Sequence, residues 1–136
     1  MILVRLCEGL DELEACVRLQ IATWGYDETD IMPRKAFKVA QKIGGQVFGA
    51  FDTSLAGASP QGDPACLVGF AYSLPGIKTD RGAPAAYLHS HMLAVREGYA
   101  NRGIGAQLKL EQRREALARK IRLMEWTFDP LEIRNA

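Results

Sequence analysis

The chain has 136 residues, 48% hydrophobic and 24% charged, with a formal net charge of +1 at pH 7. A single domain of this length buries about two thirds of the surface its unfolded chain exposes, and residues 1–136 are read as one domain. The near-neutral charge gives no general attraction to nucleic acid or to a membrane surface, and no run of ~18 apolar residues offers a transmembrane helix.

The start of the chain is too short in apolar residues, and charged too soon at Arg5, to read as a signal peptide. Three cysteines, Cys7, Cys16 and Cys66, are an odd number without metal-ligand spacing, so a reduced, cytoplasmic protein is expected. Residues 2–6 are predicted as a first strand and residues 8–11 as a turn. From Asp11 a helix follows, because Leu13, Cys16, Val17, Gln20, Ile21 and Trp24 recur on one face until Gly25 ends it. Cys16 on that face is a packing residue, since a buried cysteine behaves as a small hydrophobe. Residues 26–30 are an acidic loop with Asp27, Glu28 and Asp30, equally suited to drawing in a cationic amine or to being a solvated turn. Residues 33–42 are predicted as a second helix, with Pro33 in its first turn and Gly44-Gly45 beyond its end.

Residues 46–51 read as a second strand and 52–64 as a loop. Residues 65–74 read as a third strand, with Gly69 marking a bulge, and 75–84 as another polar loop. Residues 87–95 are the fourth strand, 96–102 a basic turn, and 103–120 a charged helix with Ile104, Leu108 and Leu117 as its apolar contacts. Glu115 and Arg119 stand four apart in the favourable order for a local ion pair. Lys109, Arg113 and Arg114 on that helix suit a solvated face or a nucleotide phosphate. Residues 121–128 are predicted as a fifth strand. Asp129, Pro130 and Glu132 then carry the cap, first-turn and capping-box signals of a further helix. The order is β-α-α-β-β-β-α-β, an α/β (α+β) chain. The loop-linked middle strands are expected antiparallel, and the last pair, joined by a helix, parallel.

The most informative stretch is the strand–turn–helix at 87–109. Amide groups at a helix start lack intrahelical partners and carry the positive end of the helix dipole. Gly103 and Gly105 let an anion come close to that backbone, and Arg102 adds a charge at its lip. Glycines here would also suit a plain tight connection. Neither the dinucleotide-binding pattern, which wants a third glycine where Leu108 stands, nor the P-loop pattern is present.

Leu93-Ala94-Val95 at a strand end, followed by Arg102 and Gly103-Ile104-Gly105, resembles the diphosphate signature Q/R-x-x-G-x-G/A of the GNAT family of acyl-CoA-dependent N-acyltransferases. Ala100 occupies the Q/R position, so the backbone half of the signature is kept and its side-chain half is not. The resemblance implies a mixed, mostly antiparallel sheet flanked by helices, with the part of the fold beyond the fifth strand missing from these 136 residues. It implies a cleft where the fourth and fifth strands splay apart. There acetyl-CoA or another acyl-CoA, as co-substrate, would lie along Leu93, Ala94 and Val95, with its diphosphate on Asn101, Arg102, Gly103, Ile104, Gly105 and Ala106. A backbone N–H near Leu93 would face the developing oxyanion.

The proton-transfer groups are less determined. Members of the family use a Glu or an ordered water as base and a Tyr after the fifth strand as acid, but no Tyr follows Tyr99. His89 and His91 alternate with their neighbours and share one sheet face, and either suits a base, as does Glu125. A pair of structural histidines fits the same pattern; a metal site lacks a third ligand, and none is expected. The resemblance implies an N-acyltransferase acting on a small-molecule or protein amine. The alternative is a non-catalytic CoA-binding or structural module of the same fold. An open fifth strand would pair with a second copy, so a homodimer through that edge is expected.

Overall fold

The computed structural model describes residues 1–25, 31–55 and 57–126. A first strand, β1 (Ile2–Leu6), leads into two helices, α1 (Gly9–Trp24) and α2 (Arg34–Lys42). Strands β2 (Gln46–Asp52), β3 (Leu67–Asp80) and β4 (Ala83–Val95) follow, then α3 (Ile104–Ala118) and β5 (Met124–Trp126). The five strands form one sheet in chain order. The first three pairings are antiparallel and β4–β5 is parallel. This is the expected order and sense: α3 carries the chain back across the sheet, which a parallel neighbour requires. The acidic loop at 26–30 and the capped segment from Asp129 lie outside the described residues.

Each face of the sheet has its own core. On one face α1 and α2 bring Leu13, Cys16, Phe37 and Ala40 onto Val47, Phe51, Phe70 and Tyr72. Phe37 meets Phe70 and Tyr72 edge-on at 5.8 and 4.9 Å between ring centroids. On the other face Ile104 and Leu108 of α3 pack on Phe48, Ala50, Val68 and Ala71. β2 is therefore buried along its whole length, and each large side chain so buried is worth roughly 1.5–3 kcal/mol. Gly69 lets three elements close up: a Cβ there would lie 3.2 Å from the Ala94 carbonyl oxygen and 3.3 Å from the Ile104 side chain. All three cysteines are free, and the Cys7 and Cys16 sulfurs stand 3.8 Å apart. Among the described residues no helix is long and apolar enough to cross a membrane.

Four boundaries differ from the sequence pattern, each for a local reason. α1 starts at Gly9 rather than Asp11. The Glu12 carboxylate accepts the Glu8 N–H at 2.8 Å and forks onto Arg5 at 2.8 and 2.7 Å, which pins an earlier turn. Residues 75–84 are not a loop. β3 and β4 stay paired as far as Asp80↔Ala83, joined by Arg81 and Gly82, both at positive φ (52° and 81°), the conformation that suits a two-residue hairpin. No residue from 74 to 87 is fully buried, and Ile77 is 77% exposed, so no core-facing apolar pattern marks the strands and their prolines and glycines imitate a loop. The expected bulge in β3 falls on Val68, beside Gly69, where the register passes from Ala50↔Gly69 to Phe51↔Leu67. Residues 121–123 are not strand: Lys120 turns left-handed (φ 64°) and the Ile121 N–H bonds back to Ala116 O at 2.9 Å, so the helix end takes up the start of the expected strand.

Candidate active site

The turn from β4 into α3 is built on three left-handed residues, Gly98 (φ 91°), Asn101 (φ 64°) and Gly103 (φ 77°). Its base is fastened to the sheet by the Arg96 N–H donating to Val68 O at 2.7 Å. Gly103 is the N-cap of α3 and supplies no side-chain cap. The first bond into the helix runs from Gln107 N–H to Gly103 O at 3.0 Å. The preceding amides, of Ile104, Gly105 and Ala106, are thus left without an intrahelical partner. Among the described residues a Cβ placed on Gly103 would meet nothing within 4 Å, so the side of the turn it would occupy is open. Asn101, Arg102, Gly103 and Ala106 are exposed, whereas Ile104 is buried and anchors the helix start in the core.

Tyr99 braces this turn. Its hydroxyl donates to Asp52 Oδ2 at 2.5 Å, at the end of β2. Asp52 also accepts the Ser54 hydroxyl at 2.5 Å and the Ser54 N–H at 3.0 Å. Ser54 first, then Tyr99, hold the Asp52 carboxyl down at about 2, and the same hydrogen bond raises the Tyr99 phenol. The Arg102 guanidinium lies over the Tyr99 ring, 4.8 Å from its centroid, a cation–π placement. Among the described residues it has no carboxylate partner. The lip of the turn therefore carries an oriented positive charge.

Next to it, β4 is bulged against β3, with which it stays paired as far as Val95, and among the described residues it has no β5 partner beyond Ser90. Toward β3 the register jumps from Ser73↔Ser90 to Tyr72↔Met92, so His91 is an extra, bulged residue. Toward β5 the pairing covers Leu88, His89 and Ser90 and goes no further among the described residues. Among the described residues the outer backbone edge of Leu93, Ala94 and Val95 has no strand partner from there to the turn. Ala94 packs into the core under α1, while Leu93 and Val95 face α3, and a Cβ on Gly105 would stand 3.6 Å from the Leu93 side chain.

His89 and His91 share a face, with ring centroids 6.1 Å apart. His91 is exposed and stands edge-on to Tyr72 at 6.0 Å. Partial burial, then the neighbouring His89, lower its pKa, so its imidazole is neutral at pH 7. Glu125 sits opposite His89 in the β4–β5 register, and its carboxylate is ion-paired with Lys78 of the β3 extension. The three candidates for proton transfer are thus brought to one place beside the open edge of β4, and Lys78 joins them. On α3, Arg114 is paired with Glu111 at 2.6 Å and Arg119 with Glu115 at 2.7 Å, the latter being the expected local pair.

Two groups around the site have weaker sequence signals. Tyr99 and Asp52 are 47 residues apart, and no local pattern links them. Gln112 was not singled out in the sequence, although its spacing from Ile104, Leu108 and Ala116 was a signal for the inward position it takes: all four are buried.

No protein-family model matches the sequence, and no curated protein matches it significantly. Solved structures match in number. An aminoglycoside acetyltransferase from an uncultured soil metagenomic sample, in complex with sisomicin, superposes with a TM-score of 0.72 at 15% identity, covering 96% of this chain and 80% of that one. Glucosamine-6-phosphate N-acetyltransferase from Arabidopsis thaliana gives 0.69 at 9% identity, covering 97% and 85%. An aminoglycoside N-acetyltransferase in complex with CoA gives 0.64 at 18% identity, covering 98% and 80%. At these identities the likeness is one of fold.

Proposed function

On a chain with the GNAT fold we propose an acyl-CoA-dependent N-acyltransferase that passes an acyl group, acetyl in the simplest case, to a primary amine. One observation carries the reading: among the described residues, the edge of β4 left without a partner at Leu93, Ala94 and Val95 leads into the N-terminus of α3, which has no side-chain cap and open space beside Gly103. An extended amide-bearing arm fits the first by adding backbone hydrogen bonds, and a diphosphate fits the second. That neighbours of the same fold hold CoA or an aminoglycoside supports both the co-substrate and the amine acceptor.

In this reading the amides of residues 101–106 and the guanidinium of Arg102 hold the diphosphate, and Leu93, Ala94 and Val95 hold the pantetheine arm. The acceptor approaches from the face of α1 and α2, where neutral His91 takes the proton from the attacking amine. Nitrogen bonds to the thioester carbon, a β4 amide near Leu93 stabilises the oxyanion, and the carbon–sulfur bond breaks to release the thiolate, which is protonated by water. His89 and Glu125 flank His91, with Glu125 committed to Lys78. The outer edge of β5 is the last of the described sheet, and a homodimer through it belongs to the same reading; light scattering showing a monomer at high concentration rejects it.

A second reading, a CoA-binding module without catalysis, is favoured by Ala100 at the Q/R position. Thermal melts with acetyl-CoA test the shared part. At 100 times Kd the ligand adds ~2.7 kcal/mol of stability. No shift removes both readings. A shift without thioester cleavage over a panel of amines leaves only the second.

A further inference from the structure

We propose that the buried Ser90–Gln112 pair is a positioning device that fixes the spacing between the open edge of β4 and the N-terminus of α3, so that one acyl-CoA spans both. The inference rests on the acyl-CoA reading above. Ser90 is the residue at which the β3–β4 register breaks. Among the described residues it is also the last of β4 paired with β5. It is the last before the bulged His91, and it stands opposite Ser73 where the β3 register shifts. Its hydroxyl lies 3.2–3.3 Å from the side-chain amide of Gln112, which is fully buried on α3. Among the described residues neither side chain has another polar partner.

The pair belongs to a larger buried set. Ser73 donates to Gln46 Oε1 at 2.9 Å and accepts the Gln46 N–H at 3.1 Å. Gln46 Nε2 donates to the Gln112 carbonyl at 2.9 Å and to Glu115 Oε1 at 2.8 Å. A satisfied polar network in a core adds little net stability over apolar packing of the same shape, but it admits few arrangements. Here it ties β2, β3 and β4 to α3 beside the bulge in the β3–β4 pairing. The thioester end of the co-substrate would meet β4 just beyond that point. Its diphosphate would meet α3 two turns above Gln112, so the pair cross-links the strand and the helix that carry the two half-sites. Holding them at a fixed separation makes the second contact intramolecular.

The test uses Ser90→Ala/Gln112→Leu, which removes both partners and orphans neither. The probes are acetyl-CoA, which spans both half-sites, and adenosine 3′-phosphate 5′-diphosphate, which reaches only the helix end. The expected result is a melting temperature near that of the unsubstituted protein and an unchanged Kd for the diphosphate fragment. The Kd for acetyl-CoA rises about tenfold as the linkage between the half-sites is lost. Unchanged Kd values for both probes make the pair merely structural and overturn the inference. Parallel weakening of both places the effect at the helix end and also overturns it. If the unsubstituted protein binds the fragment as tightly as acetyl-CoA, there is no linkage to lose and the inference falls while the diphosphate site stands. If it binds neither, the acyl-CoA reading itself has failed. Gln112→Met, of similar length and unbranched, decides the same outcomes should the double variant not fold.

Discussion

Gly103→Ala separates the architecture of the turn from its use. Gly103 is left-handed at φ 77°, ψ 8°, a conformation that costs an L-residue ~1–2 kcal/mol. Its new Cβ would meet nothing within 4 Å, so backbone strain is the whole cost in the free protein. For 136 residues the unfolding entropy is ~0.29 kcal/mol/K, which turns that strain into a loss of ~3–7 °C in melting temperature. With acetyl-CoA at 100 times the Kd of the unsubstituted protein, the unsubstituted protein should gain ~2.7 kcal/mol, or ~9 °C. In the proposed reading the methyl group intrudes on the space that the diphosphate would fill at residues 103–106. A Kd raised at least ~10-fold would cut the gain to ~1.4 kcal/mol, or ~5 °C or less. Gly103→Asn isolates the obstruction, because asparagine tolerates this conformation better: its apo melting temperature should fall less, with the ligand shift reduced as much. If either variant keeps the full ligand shift, phosphate does not sit on this backbone and the proposed function loses its carrying observation.

The remaining predictions concern titration. Neutral His91 as base requires the acylation rate over an amine panel to rise with pH through a pKa below 6.5 and to level off above it, the direction its burial and His89 impose; a limb centred above 6.5, or an unchanged profile in His91→Gln, excludes it. Because the unfolded histidine takes its proton at higher pH than the folded one, stability at this position should fall as pH drops below 6.5. For Asp52 the folded carboxyl at about 2 lies below its ordinary 3.8, so its contribution is complete above pH 3.8 and vanishes as pH falls toward 2. Asp52→Asn should therefore melt lower than the unsubstituted protein at pH 7, with the gap closing between pH 3.8 and 2; a pH-independent gap would mean the charge is not what matters. Tyr99→Phe, which frees the turn from Asp52 but keeps the ring under Arg102, should weaken acetyl-CoA while leaving the sheet intact by circular dichroism.

What the sequence revealed follows from how local each signal is. The order of elements and the open turn at Gly103 were legible because period, caps and glycines act within a few residues. The β3–β4 extension was hidden because strand pairing there is carried by the backbone alone: with both faces in water, no alternation marks Pro75 or Thr79 as strand. His91 shows the limit in another way. Its spacing from His89 placed both rings on one face, as found. That His91 is the bulged residue depends on Tyr72 and Ser73, whose partners are set by packing nearly twenty residues away. The brace from Tyr99 to Asp52 and the Lys78–Glu125 pair are likewise products of the assembled sheet. The site is thus written at two ranges. The proposed anion-binding end is encoded in consecutive residues and would persist in any context that keeps the strand–turn–helix. The proposed acceptor end is assembled only once β3, β4 and β5 are in register, and under the proposed function substitutions remote from it, at Ser73 or Gln46, should disturb proton transfer before they disturb the hold on diphosphate.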